Sequence, residues 1–335
     1  MASSEPVSGA AKRGPPSPHS QPAAKRERNE GQMVSSVQEM VERCPWGDEF
    51  VCMLAFPANI FGAWLKKLRP FLTVAHIVLT RNGGPNNTVN CVTFADVDDA
   101  KVCFVQGRVT ASWGAGAQPT HDTFALELEG TEMRMKPAHS GLAQEVVLVV
   151  LKDEHGAERV DTLGVWFHDM GYVGTALLPC VEQRETHELD DIELWLTVEL
   201  LATTLKQAIL ETCKATGQDT LGIIVRRPRG DTGNVYSCTF EFDNNISNTF
   251  TIGTERGVAS ACTSRVDMPF KRGADMETLF SQRYGINYIM DIANKATSTI
   301  QIMLPKAGDT DPIVFGVNVG ATSYMRWALM PKLRD

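Results

Sequence analysis

From residue 50 onward, apolar runs of strand character alternate with a few amphipathic windows of helical period, and the series is written twice along the chain. Each half opens on a strand followed by a helix, at 50–56 and 58–72 in the first half and at 194–200 and 202–216 in the second. In the first helical window Ile60, Phe61, Trp64, Leu65, Leu68 and Leu72 recur every three or four residues and leave Lys66, Lys67 and Arg69 on the opposite face. A further helical window follows in each half, at 131–139 and 282–296, and Pro137 shortens the former. Each half closes on three strands with a charged or glycine-bearing turn after the first, at 145–151, 161–167 and 174–179, then at 299–304, 312–319 and 325–331. The first series ends on Ala176-Leu177-Leu178-Pro179 and the second on Ala328-Leu329-Met330-Pro331. The pattern predicts an α+β chain built from two tandem copies of one β-rich module, each carrying two helices. The expected boundaries are 33–180 and 194–335, with an acidic connector at 181–193.

Residues 1–32 hold five of the seventeen prolines and almost no large apolar side chain, so they predict a disordered basic tail. Within it Lys12-Arg13 and Lys25-Arg26-Glu27-Arg28 flank an eleven-residue spacer, the layout of a bipartite nuclear-import signal. Lys12, Arg13, Lys25, Arg26 and Arg28 are the candidate import residues, and a nuclear location is the expectation. At 335 residues the chain has room for two domains. No run approaches the ~20 apolar residues that span a bilayer, so no membrane partner is expected.

Charge changes the picture more. The whole chain carries −8, yet the four helical windows hold nine cations, Lys66, Lys67, Arg69, Arg134, Lys136, Lys206, Lys214, Arg283 and Lys295, against three acids, Glu132, Glu211 and Asp291. That is a net of +6; the tail, with five cations against three acids, adds +2, and the remainder therefore carries −16. Ordinary solvated helix faces mix signs in i,i+4 pairs, whereas these are depleted in acid, which points to a polyanion held on one face. The eight cysteines include no C-x-x-C pair. There is no Walker loop, G-x-S-x-G, H-E-x-x-H or clustered His/Asp set, and His168-Asp169 reads as a turn. No catalytic residue, metal site or cofactor is expected, and the chain does not read as an enzyme.

The last sixty residues carry the most specific likeness. Residues 277–333 include Lys295-Ala296-Thr297 after an apolar helix, Pro312-Ile313-Val314, and a close on Leu329-Met330-Pro331-Lys332-Leu333. This stretch resembles the final helix and strands of the eukaryotic-type sliding clamp family, proliferating cell nuclear antigen. Weaker similarity runs through Val181-Glu182-Gln183 and residues 89–106, so the resemblance covers about residues 48–335.

The resemblance implies a ring of three two-domain subunits, with sheets outside and helices lining a channel around duplex DNA. Contact with that DNA would be independent of its sequence. It implies as partners a DNA polymerase, other clamp-binding replication and repair proteins, a clamp loader, and further copies of the chain. The nine helical cations become the DNA-facing residues. A partner pocket under the connector would use Phe94, Val102, Phe104, Val181, Pro312, Ala328, Met330 and Pro331. Arg184, Thr186 and His187 stand where the family is apolar, Ala328 replaces an aromatic ring, and Leu189 and Ile192 are positioned to refill the pocket. Such drift is that of a divergent clamp, of viral or unusual eukaryotic origin. The alternatives are a damage-signalling clamp subunit of a heterotrimer, and a viral processivity factor that lies on DNA without closing a ring. The expected joint between copies is the strand at 173–178 against the strand at 249–253 of the next.

Overall fold

The computed structural model describes residues 37–81, 89–168, 173–182, 194–216, 219–230, 239–243, 248–255, 258–261, 265–266, 276–305, 311–319 and 322–332. By contact the chain divides into Met1–Cys44 and Pro45–Asp335, and the sheets with the helices packed on them belong to the second unit. The tail residues Lys12, Arg13, Lys25, Arg26 and Arg28 and most of the connector, Arg184, Thr186, His187, Leu189 and Ile192 included, lie outside the described residues.

The first series runs β1 (Phe50–Pro57), α1 (Ala58–Leu68), β2 (Val74–Thr80), β3 (Cys91–Val97), β4 (Cys103–Thr110), β5 (Trp113–Gly116), β6 (Thr123–Glu127), α2 (Leu128–Arg134), α3 (Lys136–His139), β7 (Glu145–Lys152), β8 (Glu158–His168) and β9 (Val173–Pro179). The second runs β10 (Leu194–Leu201), α4 (Ala202–Thr216), β11 (Thr220–Pro228), β12 (Thr239–Asp243), β13 (Asn248–Glu255), β14 (Val258–Ala261), β15 (Arg265–Val266), β16 (Met276–Gly285), α5 (Ile286–Lys295), β17 (Thr299–Pro305), β18 (Ile313–Asn318) and β19 (Tyr324–Leu329). The two series match element for element apart from the split helix α2/α3 and the extra strand β15, so the fold is α+β with tandem modules.

Local chemistry sets the boundaries. Pro57 precedes α1 with φ −57° and an extended ψ, so the ring starts the helix without needing its own N–H. Pro137 lies in the first turn of α3, where an N–H is dispensable, and the chain breaks at Met135 just before it. The window at 282–296 is corrected at its start: residues 276–285 continue a strand paired with β11, and the helix begins only at Ile286. A long ladder outcompetes helix propensity there, because each added pair satisfies backbone groups that would otherwise need partners.

Two sheets result. One has the order β5-β1-β7-β8-β9; the other runs β16-β11-β12-β13-β14-β10-β17-β18-β19-β4-β3-β2-β6, with β15 beside β13. The large sheet passes from one module to the other through β19 and β4, which pair antiparallel from Tyr324 opposite Arg108 to Leu329 opposite Cys103.

The helices pack on one face of these sheets around a single core. Phe61, Trp64, Leu65 and Leu68 of α1, Leu205 and Ile209 of α4, and Ile286, Ile289 and Ile292 of α5 all join it. The Trp64 ring stands edge-on to Phe94, with centroids 4.7 Å apart at 80°. Burying each such aromatic contributes about 2–3 kcal/mol, so a few of them outweigh any surface contact. On the opposite face of the smaller sheet, Met53, Ala55, Val147, Val149 and Trp166 are also buried. Trp46 closes over that face at Gly164, where an added Cβ would come 3.3 Å from the indole. The expected bare outer sheet is therefore roofed there.

Side-chain contacts lock the modules together besides the ladder. The Tyr288 hydroxyl of α5 donates to Asp98 Oδ2 at 2.5 Å, while Asp98 Oδ1 accepts the amides of Val102 at 2.7 Å and Cys103 at 2.8 Å. Phe71 packs between Tyr288 and Trp327, and the Lys67 ammonium donates to the Lys295 carbonyl. Burial, and then the Asp98 carboxylate, push the Tyr288 phenol above its ordinary value. A raised folded-state pKa contributes stability that is present below the unfolded value of about 10 and is lost as pH climbs beyond it. Tyr288→Phe is expected to lose about 2 kcal/mol at neutral pH. It should also flatten part of the loss above pH ~10, read by denaturant titration at pH 7 and at pH 10.5.

Candidate nucleic-acid interface and outer docking row

The apolar stripe of each helix is consumed by the core, so the polar remainder faces away from the sheets. Lys66, Arg134 and Lys136 are exposed there, and Lys206 and Lys295 are half-buried. Lys214 lies in α4.

Three of the expected cations do not belong to this face. Lys67 is 7% exposed, on the buried side of α1, with its ammonium on the C-terminal carbonyl of α5. That carbonyl is one of the unsatisfied acceptors at the negative end of a helix, which is why a cation is tolerated at so buried a position. Burial and the nearby Lys295 charge hold the Lys67 pKa below the usual lysine range. Arg69 follows the end of α1 and is held by Glu132 at 2.6 Å and Glu129 at 3.8 Å, so its charge is neutralised locally. Arg283 lies in β16, opposite Gly222 of β11, where its Nε donates to the Thr220 hydroxyl at 3.3 Å.

With the observed boundaries, Glu129 also enters α2. The five helices then carry seven cations, Lys66, Lys67, Arg134, Lys136, Lys206, Lys214 and Lys295, against four acids, Glu129, Glu132, Glu211 and Asp291, a net of +3. The sign expected from the windows survives; the excess is halved.

The expected partner pocket is rearranged by strand parity. On the face away from the helices, one row crosses five strands: Met303 of β17 lies opposite Val314 of β18, Val314 opposite Ala328 of β19, Ala328 opposite Phe104 of β4, and Phe104 opposite Val97 of β3. Met303, Val314, Ala328 and Phe104 form a cluster of their own, with Ala95 and Val97 packed against it. Phe94 is corrected out of this set, because it alternates with Ala95 and points into the helix-side core beside Trp64. Val102 also packs against that core. Val181 lines a different cleft, of about 580 Å³, with Arg69, Leu72, Val74 and Leu128. Pro312 is buried and Pro331 half-buried; Met330 is 41% exposed, its amide donating to the Val102 carbonyl at 2.9 Å.

The sequence pattern pointed to Phe104 and Ala328 and missed Val97, Met303 and Val314. Phe94 shares its face with Val92, two residues back, whereas Val97, three residues on, falls on the other face with Ala95.

Among the described residues no cluster of His, Cys, Asp and Glu has the arrangement of a metal site. Among them too, no helix is long and apolar enough to cross a membrane. Cys52 and Cys103 are buried free thiols, and burial pushes Cys52 up to about 12, which leaves it protonated and inert at neutral pH.

Two modules sharing a sheet through their β4–β19 joint, with α1 to α5 on one side, have counterparts among solved structures. The proliferating cellular nuclear antigen of Entamoeba histolytica matches with a TM-score of 0.57 at 12% identity, over 85% of this chain and 100% of that one. The chain has the fold of the sliding clamps. The clamp protein of Thermococcus kodakaraensis matches at 0.57 with 16% identity, over 84% of this chain and 100% of that one. A chain of the PCNA2–PCNA3 complex of Sulfolobus tokodaii matches at 0.53 with 16% identity, over 84% and 99%. No protein-family model matches the sequence, and no curated protein matches it.

Proposed function

We propose that this protein is a DNA sliding clamp, a non-enzymatic ring that surrounds duplex DNA in the nucleus or a viral replication compartment and tethers a polymerase and other replication and repair proteins. One observation carries the reading: the last strand of the second module, β19, pairs with β4 of the first, while its counterpart β9 pairs along its length with β8 alone among the described residues, which leave its other edge open. An open strand edge is an assembly or aggregation liability, and repeating the β19–β4 joint between copies removes it. Exposed apolar side chains support the same edge, with Leu177 on β9 at 44% and Met133 on the adjoining α2 at 57%. On this reading the helix face meets phosphates through cations alone, which position a protein without reading bases. The Phe104–Ala328 row takes apolar anchors of partner segments. Light scattering is expected to give about three times the 36.8 kDa chain mass. A chain that stays monomeric at every concentration overturns the ring.

A further inference from the structure

The internal duplication places the open and the occupied form of one strand joint side by side in this chain. In the first module β5 pairs with β1, from Cys52 opposite Gly116 to Ala55 opposite Trp113. It makes no ladder with β4, so β4 has β3 on one side and accepts β19 on the other. In the second module the counterpart of β5 is β14, and it behaves differently. It pairs with β10 through only two positions, Val198 opposite Ala259 and Glu199 opposite Ser260. Its main ladder is with β13, from Ile252 opposite Ala261 to Glu255 opposite Val258. β15 continues along β13, with Thr249 opposite Arg265 and Asn248 opposite Val266.

Hairpin register shows which edge this covers. The β3–β4 hairpin closes at Val97 opposite Phe104 and the β12–β13 hairpin at Phe242 opposite Asn248, so Phe104 corresponds to Asn248. Of the β4 positions that hold β19, Cys103 to Arg108, those from Phe104 onward therefore correspond to 248–252 of β13. Asn248 and Thr249 have β12 on one side and β15 on the other, and Ile252 is taken by β14. The edge of the expected joint at 249–253 is thus covered at Thr249, Ile252 and Gly253 by strands of its own chain.

Resting on the head-to-tail reading above, we propose that the β14–β15 arm is an intramolecular plug of the second module's assembly edge, displaced by β9 of the next copy when the ring closes. The exchange balances in number, since β14 and β15 hold β13 at four and two positions and the β4–β19 ladder has six. The gain comes from covering the β9 edge with its exposed Leu177. A single chain thus keeps its edge covered, as solubility requires, and assembly becomes a strand exchange with a barrier rather than a simple docking.

The test locks the arm reversibly in the full-length protein. Thr249 and Arg265 face each other across the ladder, at a separation that a cross-strand disulfide spans. The Thr249→Cys/Arg265→Cys double variant, oxidised with oxidised glutathione, is expected to sediment as monomer and to assemble on reduction, with wild type treated identically as the control. Val266→Pro, which weakens the arm without a crosslink, should lower the concentration for half-assembly about tenfold, or about 1.4 kcal/mol. If the locked protein assembles as well as the reduced one, the plug is wrong while the head-to-tail ring stands. If wild type, reduced double variant and Val266→Pro all remain monomeric, the head-to-tail reading itself falls and the plug with it.

Discussion

Reversing Lys66, Arg134, Lys136 and Lys206 to glutamate is expected to leave the chain folded and to abolish its stimulation of a polymerase on a long primed template. All four lie on the helix face away from the core; the first three are exposed and Lys206 is half-buried. Each reversal changes two charges, so the net of +3 over the five helices becomes −5 in every copy. Counterion release scales with the number of phosphates neutralised, so residual association with DNA should lose most of its salt dependence. Four reversals at Lys101, Lys152, Arg229 and Lys332, outside the helices, form the control and should leave stimulation within about twofold, because surface charges away from phosphate contribute little. Lys67→Glu separates the two kinds of lysine. It puts an anion at the C-terminal carbonyl of α5 in a buried position, and should cost about 3 kcal/mol in denaturant titration. If the fourfold variant stimulates the polymerase as well as its control does, the helix face is ordinary solvated surface.

Gly107→Val is expected to open the seam between the modules. Gly107 sits in β4 between Phe94 on one side and Met325 on the other. A Cβ there would lie 2.5 Å from the Phe94 ring and 2.8 Å from the Tyr324 carbonyl. The ring is wedged against Trp64 and the carbonyl belongs to the β19 ladder, so neither can yield without breaking core packing or the joint. Overpacking of this kind costs about 3 kcal/mol. Valine should bring a lower denaturation midpoint and faster amide exchange in 103–108 and 324–329. Gly130→Ala provides the contrast, since its added Cβ meets only the Glu127 carboxylate at 3.4 Å inside α2. Helix propensity there predicts a gain of roughly 0.5–1 kcal/mol. Equal losses at both positions would mean that the close approach at Gly107 is relieved at no cost.

Much of this molecule could be read along the chain. Apolar periodicity located the opening strand and helix of each half, because the side chains of Phe61, Trp64, Leu65 and Leu68 that set the helical rhythm are the ones the core buries. The tandem repeat was legible too: Ala176-Leu177-Leu178-Pro179 and Ala328-Leu329-Met330-Pro331 close equivalent strands, β9 and β19. Acid depletion on the helices was visible in composition, since charges on exposed helix faces are not masked by burial.

The rest depended on neighbours distant in sequence. Lys67 and Lys66 are adjacent letters, and only the approach of the α5 C-terminus decides that one is buried on a carbonyl while the other faces solvent. Arg69 reads as a free cation until the next helix brings Glu129 and Glu132 to it. Arg283 looks helical until a nine-position ladder with β11 draws it into a strand. Phe94 reads along the chain as a pocket residue and Val97 does not, and the pleat sends them to opposite faces of β3 with Val97 on the pocket side. The alternation of apolar and polar side chains is a local property, and its direct consequences were determined by the sequence by itself: the elements, their repetition and the sign of the helix face. Which face, edge or charge remains available is set by contacts between residues distant in sequence, 63 positions apart for Arg69 and Glu132 and 228 for Lys67 and Lys295, and the tertiary structure alone decided those.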